Sequence, residues 1–129
     1  MITLRWHGEL KFIASTEKNQ EIHLDSASNA AASPMEALLA ALCGCMGIDV
    51  IDILTKMRQE PTSFEIIGSA ERNGEPPKYF KSVDLVFKIS GDIDAARVER
   101  AVQLSFDRYC SVYHTLRPDL EVTHRIEFV

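Results

Sequence analysis

Hydrophobic and polar residues alternate at the start of the chain, a pattern typical of β-strands. Ile2, Leu4 and Trp6 alternate with polar neighbours, and two more short segments, 12–16 and 21–24, flank the polar turn EKNQ. Alternation of this kind turns every second side chain toward one face of a strand. The pattern therefore predicts a first strand beside an antiparallel hairpin.

A helical pattern replaces the alternation near residue 34. Ser33, Pro34 and Glu36 form an S-P-x-E sequence. In such a sequence the serine caps the helix, the proline fits its first turn and the glutamate bonds back to the serine backbone. The apolar pattern continues to about Arg58. A helix of this span is about 37 Å long, close to the diameter of a compact chain of this size, so we expect it to cross the whole domain.

The first half of this helix is apolar on every side. No polar side chain occurs between Ala37 and Ile48, which is more than three helical turns. A helix of this kind must be covered all round. Residues that are mostly small recur on it at steps of three and four: Ala37, Ala40, Gly44, Gly47 and Ile51. One sheet and one further helix offer too little cover, so the sequence predicts a second subunit against this ridge.

Two longer alternating segments follow the helix. Segments 64–70 and 83–89 have the pattern of half-exposed strands, and the turn-rich sequence RNGEPPK joins them. A second helix is predicted to begin near Asp92 or Asp94 and to end near Cys110.

The alternation around 122–128 predicts a last strand. The order βββ-α-ββ-α-β indicates an α+β fold with antiparallel sheet, a long buried central helix and a second helix. The length of 129 residues, with 46% hydrophobic and 26% charged residues, fits a single domain over 1–129.

Composition and charge exclude several classes of function. Fourteen basic against nineteen acidic residues give a net charge of −5, and no basic run could neutralise a row of phosphates, so no nucleic-acid partner is expected. The longest apolar run is shorter than the roughly 20 residues that span a bilayer, so no membrane association is expected. The first ten residues lack the pattern of a secretory signal, which makes the cytoplasm the expected location.

The three cysteines, an odd number, are the remaining candidates for a chemical function. Cys43 and Cys45 stand two apart on a helix and point about 200° away from each other, so they cannot hold one ion together. Cys110 and His114 share a helical face, yet two ligands fall short of the four that structural zinc prefers. No metal and no cofactor are therefore predicted. From the residues alone each cysteine is a small core residue or a reactive thiol.

The long helix and the second cysteine segment together resemble a known family. SPMEALLAALCGCMGIDVIDIL is followed about sixty residues later by ERAVQLSFDRYCSVYHTL, and both resemble the OsmC/Ohr family of osmotically inducible and organic hydroperoxide resistance proteins. The start LRWHGELKF, the hairpin segment from SFEIIGSAERN onward and the closing strand occur in the family's order. The resemblance covers nearly the whole chain and is closest to the OsmC-like branch.

The resemblance implies an intertwined homodimer whose long helices lie inside a shell of sheet. It also implies reduction of organic hydroperoxides and peroxide, with Cys45 as the peroxidatic cysteine and Cys110 as the resolving cysteine. Cys45 would become a sulfenic acid, Cys110 would trap it as a disulfide, and a dithiol reductant would restore the pair. Cys43 stands where the family usually has a small residue, which favours a core-filling role.

One departure from the family pattern keeps a second function open. Active hydroperoxidases of the family have a glutamate directly after the proline that starts the helix, and here that position is Met35. The neighbouring Glu36 is explained by the capping box. The alternative is a small-molecule-binding protein on the same scaffold, with little or no peroxidase turnover. Met35 favours binding, whereas the cysteine pair favours the enzyme.

The arginine that would activate the peroxidatic cysteine has no assigned position in this sequence. The candidate cations are of two kinds. Some lie in the first strands, where the family can supply the activating cation, and others lie close to Cys110, where they would polarise the resolving thiol instead. They are Arg5, His7, Lys11 and His23 in the strands, and Arg108 and His114 near the cysteine.

Overall fold

A computed structural model describes residues 1–129, which form two compact units, Met1–Leu38 and Leu39–Val129. The prediction of one domain over 1–129 stays a prediction.

The first unit contains a three-stranded antiparallel sheet. Its strands are β1 (Ile2–Trp6), β2 (Lys11–Thr16) and β3 (Glu21–Asp25), in the order β1-β2-β3. Each strand pairs with the next through a tight turn, and the predicted hairpin is confirmed. In the β2–β3 turn Asn19 has a φ of 61°, a left-handed conformation that asparagine tolerates well.

Helix α1 (Pro34–Lys56) begins where the capping sequence predicts. The Glu36 backbone N–H donates to Ser33 Oγ at 3.2 Å, and the Ser33 N–H donates to Glu36 Oε1 at 3.0 Å. This reciprocal pair is the predicted capping box. The helix ends two residues earlier than expected, because Arg58 adopts a left-handed φ of 60° that closes the last turn before Pro61.

The second unit is built on a mixed sheet. Its strands are β4 (Glu60–Arg72), β5 (Phe80–Asp92) and β6 (Glu121–Phe128), in the order β4-β5-β6. The β4–β5 hairpin is antiparallel, as predicted, but β6 lies parallel to β5. The antiparallel prediction therefore fails for the last strand. A long crossover that contains helices joins β5 to β6, and such a connection allows the parallel pairing.

The predicted second helix is interrupted before it reaches Cys110. Asp94 caps α2 (Ala95–Leu104), with its side chain accepting from the Ala96 N–H at 3.3 Å. A single π-helical turn, Ser105–Tyr109, follows, and Cys110 then caps the short helix α3 (Ser111–Thr115). The Cys110 N–H donates to the Ser105 carbonyl, five residues back, at 2.9 Å. The wider hydrogen-bonded ring adds one residue to the turn.

The core of the second unit lies between one stripe of α1, the sheet and α2. The buried residues of α1 recur every four positions and are Leu42, Met46, Val50 and Leu54. They share one hydrophobic cluster with the inner positions of β5 and the inner face of α2. Within the second unit the fully buried residues of α1 thus form a single stripe. Ile48 remains 73% exposed, although the sequence predicts cover on every side.

Helix α1 is long and apolar enough, by length and composition alone, to cross a membrane. Its buried stripe nevertheless packs into the core described above, as the central helix of the fold. Only 28% of its most apolar stretch is buried within the chain. The uncovered remainder is the feature on which the prediction of a second subunit depends.

Candidate functional site

Two cysteines and one aspartate meet where α1 passes the end of the π-helical turn. The sulfur atoms of Cys45 and Cys110 and a carboxylate oxygen of Asp49 all lie within 4.8 Å of one another. Cys45 and Asp49 are one helical turn apart on α1, whereas Cys110 comes from the crossover between β5 and β6. We refer to these three residues as the Cys–Asp–Cys cluster. The structure thus brings together the two cysteines that the sequence analysis singles out.

The π-helical turn positions Cys110. Each added helical residue rotates the chain by about 100°, so the extra residue of the turn changes the direction in which the next side chain points. Cys110 is fully buried, and its sulfur accepts from the Tyr113 backbone N–H at 3.3 Å as the cap of α3. The turn and the cap together hold the sulfur toward α1.

Ser105 orients the carboxylate of the cluster. Its hydroxyl donates to Asp49 Oδ2 at 2.9 Å, and the serine is fully buried. A buried hydroxyl donor of this kind satisfies one carboxylate oxygen and restricts the rotation of the group. Neither Asp49 nor Ser105 is among the site residues predicted from the sequence, although the four-residue spacing of Cys45 and Asp49 on a predicted helix indicates a shared face.

The two cluster cysteines differ in their surroundings. Cys45 is half-buried, whereas Cys110 has no exposed surface. Burial is the main cause that raises the pKa of Cys110 to about 11, and the charges of Cys45 and Asp49 act in the same direction. The Tyr113 N–H opposes this effect because it stabilises the thiolate. Cys110 is therefore a neutral thiol near neutral pH.

Cys43 lies outside the cluster and faces β4. A Cβ atom added to Gly68 would stand 2.7 Å from the Cys43 sulfur, so the absent side chain of Gly68 makes room for it. Burial raises the pKa of the Cys43 thiol. The two residues of the C-x-C sequence thus have different neighbours, as their spacing predicts, and the packing of Cys43 fits a core-filling role.

The candidate cations near Cys110 have partners of their own. The Arg108 guanidinium lies 5.7 Å from the centre of the Tyr109 ring, and the His114 ring packs edge-on against Tyr113 with 5.3 Å between centres. The remaining candidates lie in the first unit. There Lys11 is 3.7 Å from Glu9, and His23 is 3.4 Å from Glu21. Arg5 and His7 are exposed. Met35 is half-buried in the first turn of α1.

A cavity of about 430 Å³ adjoins the cluster through Asp49. Apolar side chains form much of its wall, namely Ile53, Met57 and Leu104. Asp52, Lys56 and Tyr109 line it as well, and Lys56 pairs with Asp52 at 2.7 Å. The cavity gives an organic molecule a place beside the Cys–Asp–Cys cluster.

Comparisons with known proteins identify one family model and several similar proteins. The OsmC-like protein family matches residues 26–125. Protein YhfA of Escherichia coli strain K12 is 38% identical over 128 residues, which cover 98% of this chain and 96% of that protein. A solved structure of a hypothetical protein from Aquifex aeolicus VF5 is 28% identical, covers 100% of this chain and 96% of its own, and superposes with a TM-score of 0.86.

The same fold occurs in a protein whose name refers to hydroperoxides. An organic hydroperoxide resistance protein OsmC from Legionella pneumophila superposes with a TM-score of 0.72, at 16% identity, over 98% of this chain and 96% of its own. At that identity the similarity concerns the fold alone. The α+β architecture with two main helices is thus shared with both solved structures.

Proposed function

The chain belongs to the OsmC-like protein family. We propose that it is a cytoplasmic, thiol-dependent reductase of organic hydroperoxides and peroxide. Membership of the OsmC/Ohr family supports a role in oxidative or osmotic stress. The observation that carries the finer proposal is the approach of two sulfur atoms, 65 positions apart in sequence, to within 4.8 Å.

Exposure assigns a different role to each cysteine of the pair. A peroxidatic thiol must meet the substrate, and Cys45 is the half-buried member of the pair. A resolving thiol needs access only to the first sulfur, and Cys110 is fully buried beside it. These surroundings support Cys45 as the peroxidatic residue and Cys110 as the resolving residue.

The proposed catalytic cycle has three steps. The Cys45 thiolate attacks the O–O bond of ROOH, forms a sulfenic acid and releases an alkoxide that takes up a proton as ROH. The Cys110 thiol then attacks the sulfenic sulfur, a disulfide forms and water leaves with the thiol's proton. An external dithiol reduces the disulfide and is itself oxidised, which restores both thiols.

The cavity beside the cluster supplies a site for the organic part of the substrate. The apolar part of its wall favours an alkyl or aryl group, while Asp49 is the lining residue that also belongs to the cluster. A hydroperoxide held there would bring its O–O bond to the cysteine pair. The geometry therefore supports organic hydroperoxides as the substrate class.

The proposed enzyme is a homodimer, and the uncovered face of α1 supports this. Ile48 is 73% and Ile51 37% exposed, and both line an open groove with Gly44 and Gly47. Soluble monomers seldom leave a continuous apolar face of this kind in water. A second copy of the helix would cover it and account for the small residues along it.

Met35 favours a second candidate, a binding protein without turnover. It replaces the glutamate that the OsmC/Ohr resemblance implies for active hydroperoxidases. On this scaffold the cavity beside Asp49 would hold an apolar ligand while the cysteines stay reduced.

Peroxide consumption with a dithiol reductant separates the two functions. We expect Cys45→Ser to abolish turnover and Cys110→Ser to stop the intramolecular disulfide, so that Cys45 overoxidises to the sulfinic form as peroxide rises. Cys43→Ser is the matched control, because it changes a cysteine of the same helix outside the cluster, and it should retain turnover and the disulfide. Wild-type turnover no higher than that of Cys45→Ser would contradict the enzyme and favour the binding protein.

A further inference from the structure

The Cys–Asp–Cys cluster has the composition of a metal site as well as that of a redox pair. Two thiols and one carboxylate lie within 4.8 Å of one another. Each of these groups binds a metal in its deprotonated, negative form, so together they provide up to three negative charges in a small volume. A divalent cation would compensate charges that otherwise repel one another.

We propose that the reduced cluster binds Zn²⁺ through Cys45, Asp49 and Cys110. Zinc accepts thiolate sulfur and carboxylate oxygen together, whereas magnesium and calcium prefer oxygen alone. Three protein ligands leave a fourth tetrahedral position for water or a small ligand. Cys43 and Cys45 point away from each other on the helix and cannot form the site together. In the structure a carboxylate from the next turn of the helix, that of Asp49, takes the place of Cys43 beside Cys45.

The placement of the ligands matches the way in which zinc sites are built. Two ligands spaced by four on one face of α1 form a rigid pair, and the third comes from a distant segment. The Ser105 hydroxyl holds Asp49 Oδ2 at 2.9 Å, which leaves the other carboxylate oxygen available to a metal. Hydrogen bonds to ligands from outside the coordination sphere commonly contribute tenfold or more to metal affinity.

Zinc and peroxide would compete for the same sulfurs, and this part of the inference rests on the proposed function. When ROOH oxidises the zinc-bound pair, the two thiolates lose two electrons and form a disulfide. ROOH takes up those electrons and two protons to give ROH and water, and Zn²⁺ leaves with its charge unchanged. The metal would therefore protect the reduced pair and leave upon oxidation.

Titration of the metal-free, reduced protein with Zn²⁺ in competition with a chromogenic chelator tests the site without any turnover. We expect one Zn²⁺ per chain, and Co²⁺ in its place should show thiolate-to-metal charge-transfer absorption. Cys45→Ser and Cys110→Ser should each weaken binding by about a hundredfold or more, and Asp49→Asn by about tenfold or more. Protein oxidised to the disulfide should not bind.

Two variants serve as matched controls. Asp52→Asn removes a carboxylate of the same helix that pairs with Lys56. Cys43→Ser removes the cysteine that faces β4. Both variants should bind zinc like the wild type. Ser105→Ala should weaken binding by about tenfold through Asp49. Equal loss in Asp52→Asn and Asp49→Asn, or binding that survives the loss of Cys45 or Cys110, would overturn the site.

The zinc result and the peroxidase result are independent of each other. Zinc affinity is measured in the absence of peroxide, and peroxide consumption is measured in the presence of a chelator. A protein that binds zinc and consumes no peroxide would refute the proposed function alone. A protein that consumes peroxide and binds no zinc would refute the metal site alone.

Discussion

At the level of single residues, Gly68 stands where its missing side chain makes room for the sulfur of Cys43. Gly68→Ala would place its Cβ 2.7 Å from the Cys43 sulfur and 3.4 Å from Leu39 and Leu85, where a side chain has no free space. We expect the variant to lower the free energy of unfolding by about 1 to 3 kcal/mol, the usual cost of overpacking a core. Denaturant unfolding measures this change.

A double-mutant cycle with Cys43→Ala identifies the sulfur as the cause. With the sulfur absent, Gly68→Ala should become neutral or stabilising, because alanine in a strand interior is favoured over glycine by about 0.5 to 1 kcal/mol. The same loss of stability in both backgrounds would show that the contact with Cys43 does not determine the effect, and would weaken its core-filling role.

At the scale of elements, the start of α1 depends on a carboxylate. Hydrogen bonds lower the pKa of Glu36 from its ordinary value of 4.5. The largest effect comes from the Ser28 hydroxyl, followed by the Ser33 N–H and the Ser33 hydroxyl. A group whose pKa is lower in the folded chain adds stability above its unfolded pKa and loses it as the pH falls through the folded value. We therefore expect stability to decrease below about pH 4.5.

Glu36→Gln separates this charge from the cap itself. Glutamine keeps the hydrogen-bonding pattern of the capping box without a titrating charge, so at neutral pH the variant should be less stable than the wild type by the amount that the wild type loses on acidification through Glu36. The decline on acidification should become shallower, as measured by denaturant midpoints at several pH values. An unchanged slope would show that the Glu36 carboxylate does not contribute.

The elements differ in how well the sequence alone predicts them. Local signals predict the cap at Ser33, the strands and the start of the second helix near Asp94, because neighbouring residues determine these features. The π-helical turn at Ser105–Tyr109 and the parallel pairing of β6 depend on contacts distant in sequence, which alternation and helical periodicity do not record. For the same reason the sequence identifies Cys45 and Cys110 through a family resemblance and misses Asp49 as their neighbour.

At the scale of the whole molecule, the uncovered face of α1 makes the proposed dimer testable. Ile48 is 73% exposed in the single chain, so Ile48→Lys would be nearly harmless to a monomer. In a dimer that covers this face, the variant would bury an unpaired charge, and we expect the dissociation constant to rise by about tenfold or more. Sedimentation at several protein concentrations measures it.

Ala96→Lys adds the same charge on the exposed face of α2 and should leave the association unchanged. Wild-type protein that sediments as a stable, folded monomer at micromolar concentration would contradict the dimer. So would an Ile48→Lys variant that associates as tightly as the wild type.

The two cluster cysteines are far apart along the chain, so they are synthesised at different times during translation. A ribosome that adds about 5 to 20 residues per second makes Cys110 about 3 to 13 seconds after Cys45. During this interval the nascent chain carries the proposed peroxidatic thiol without its resolving partner. A peroxide pulse would therefore damage chains in synthesis more readily than finished protein.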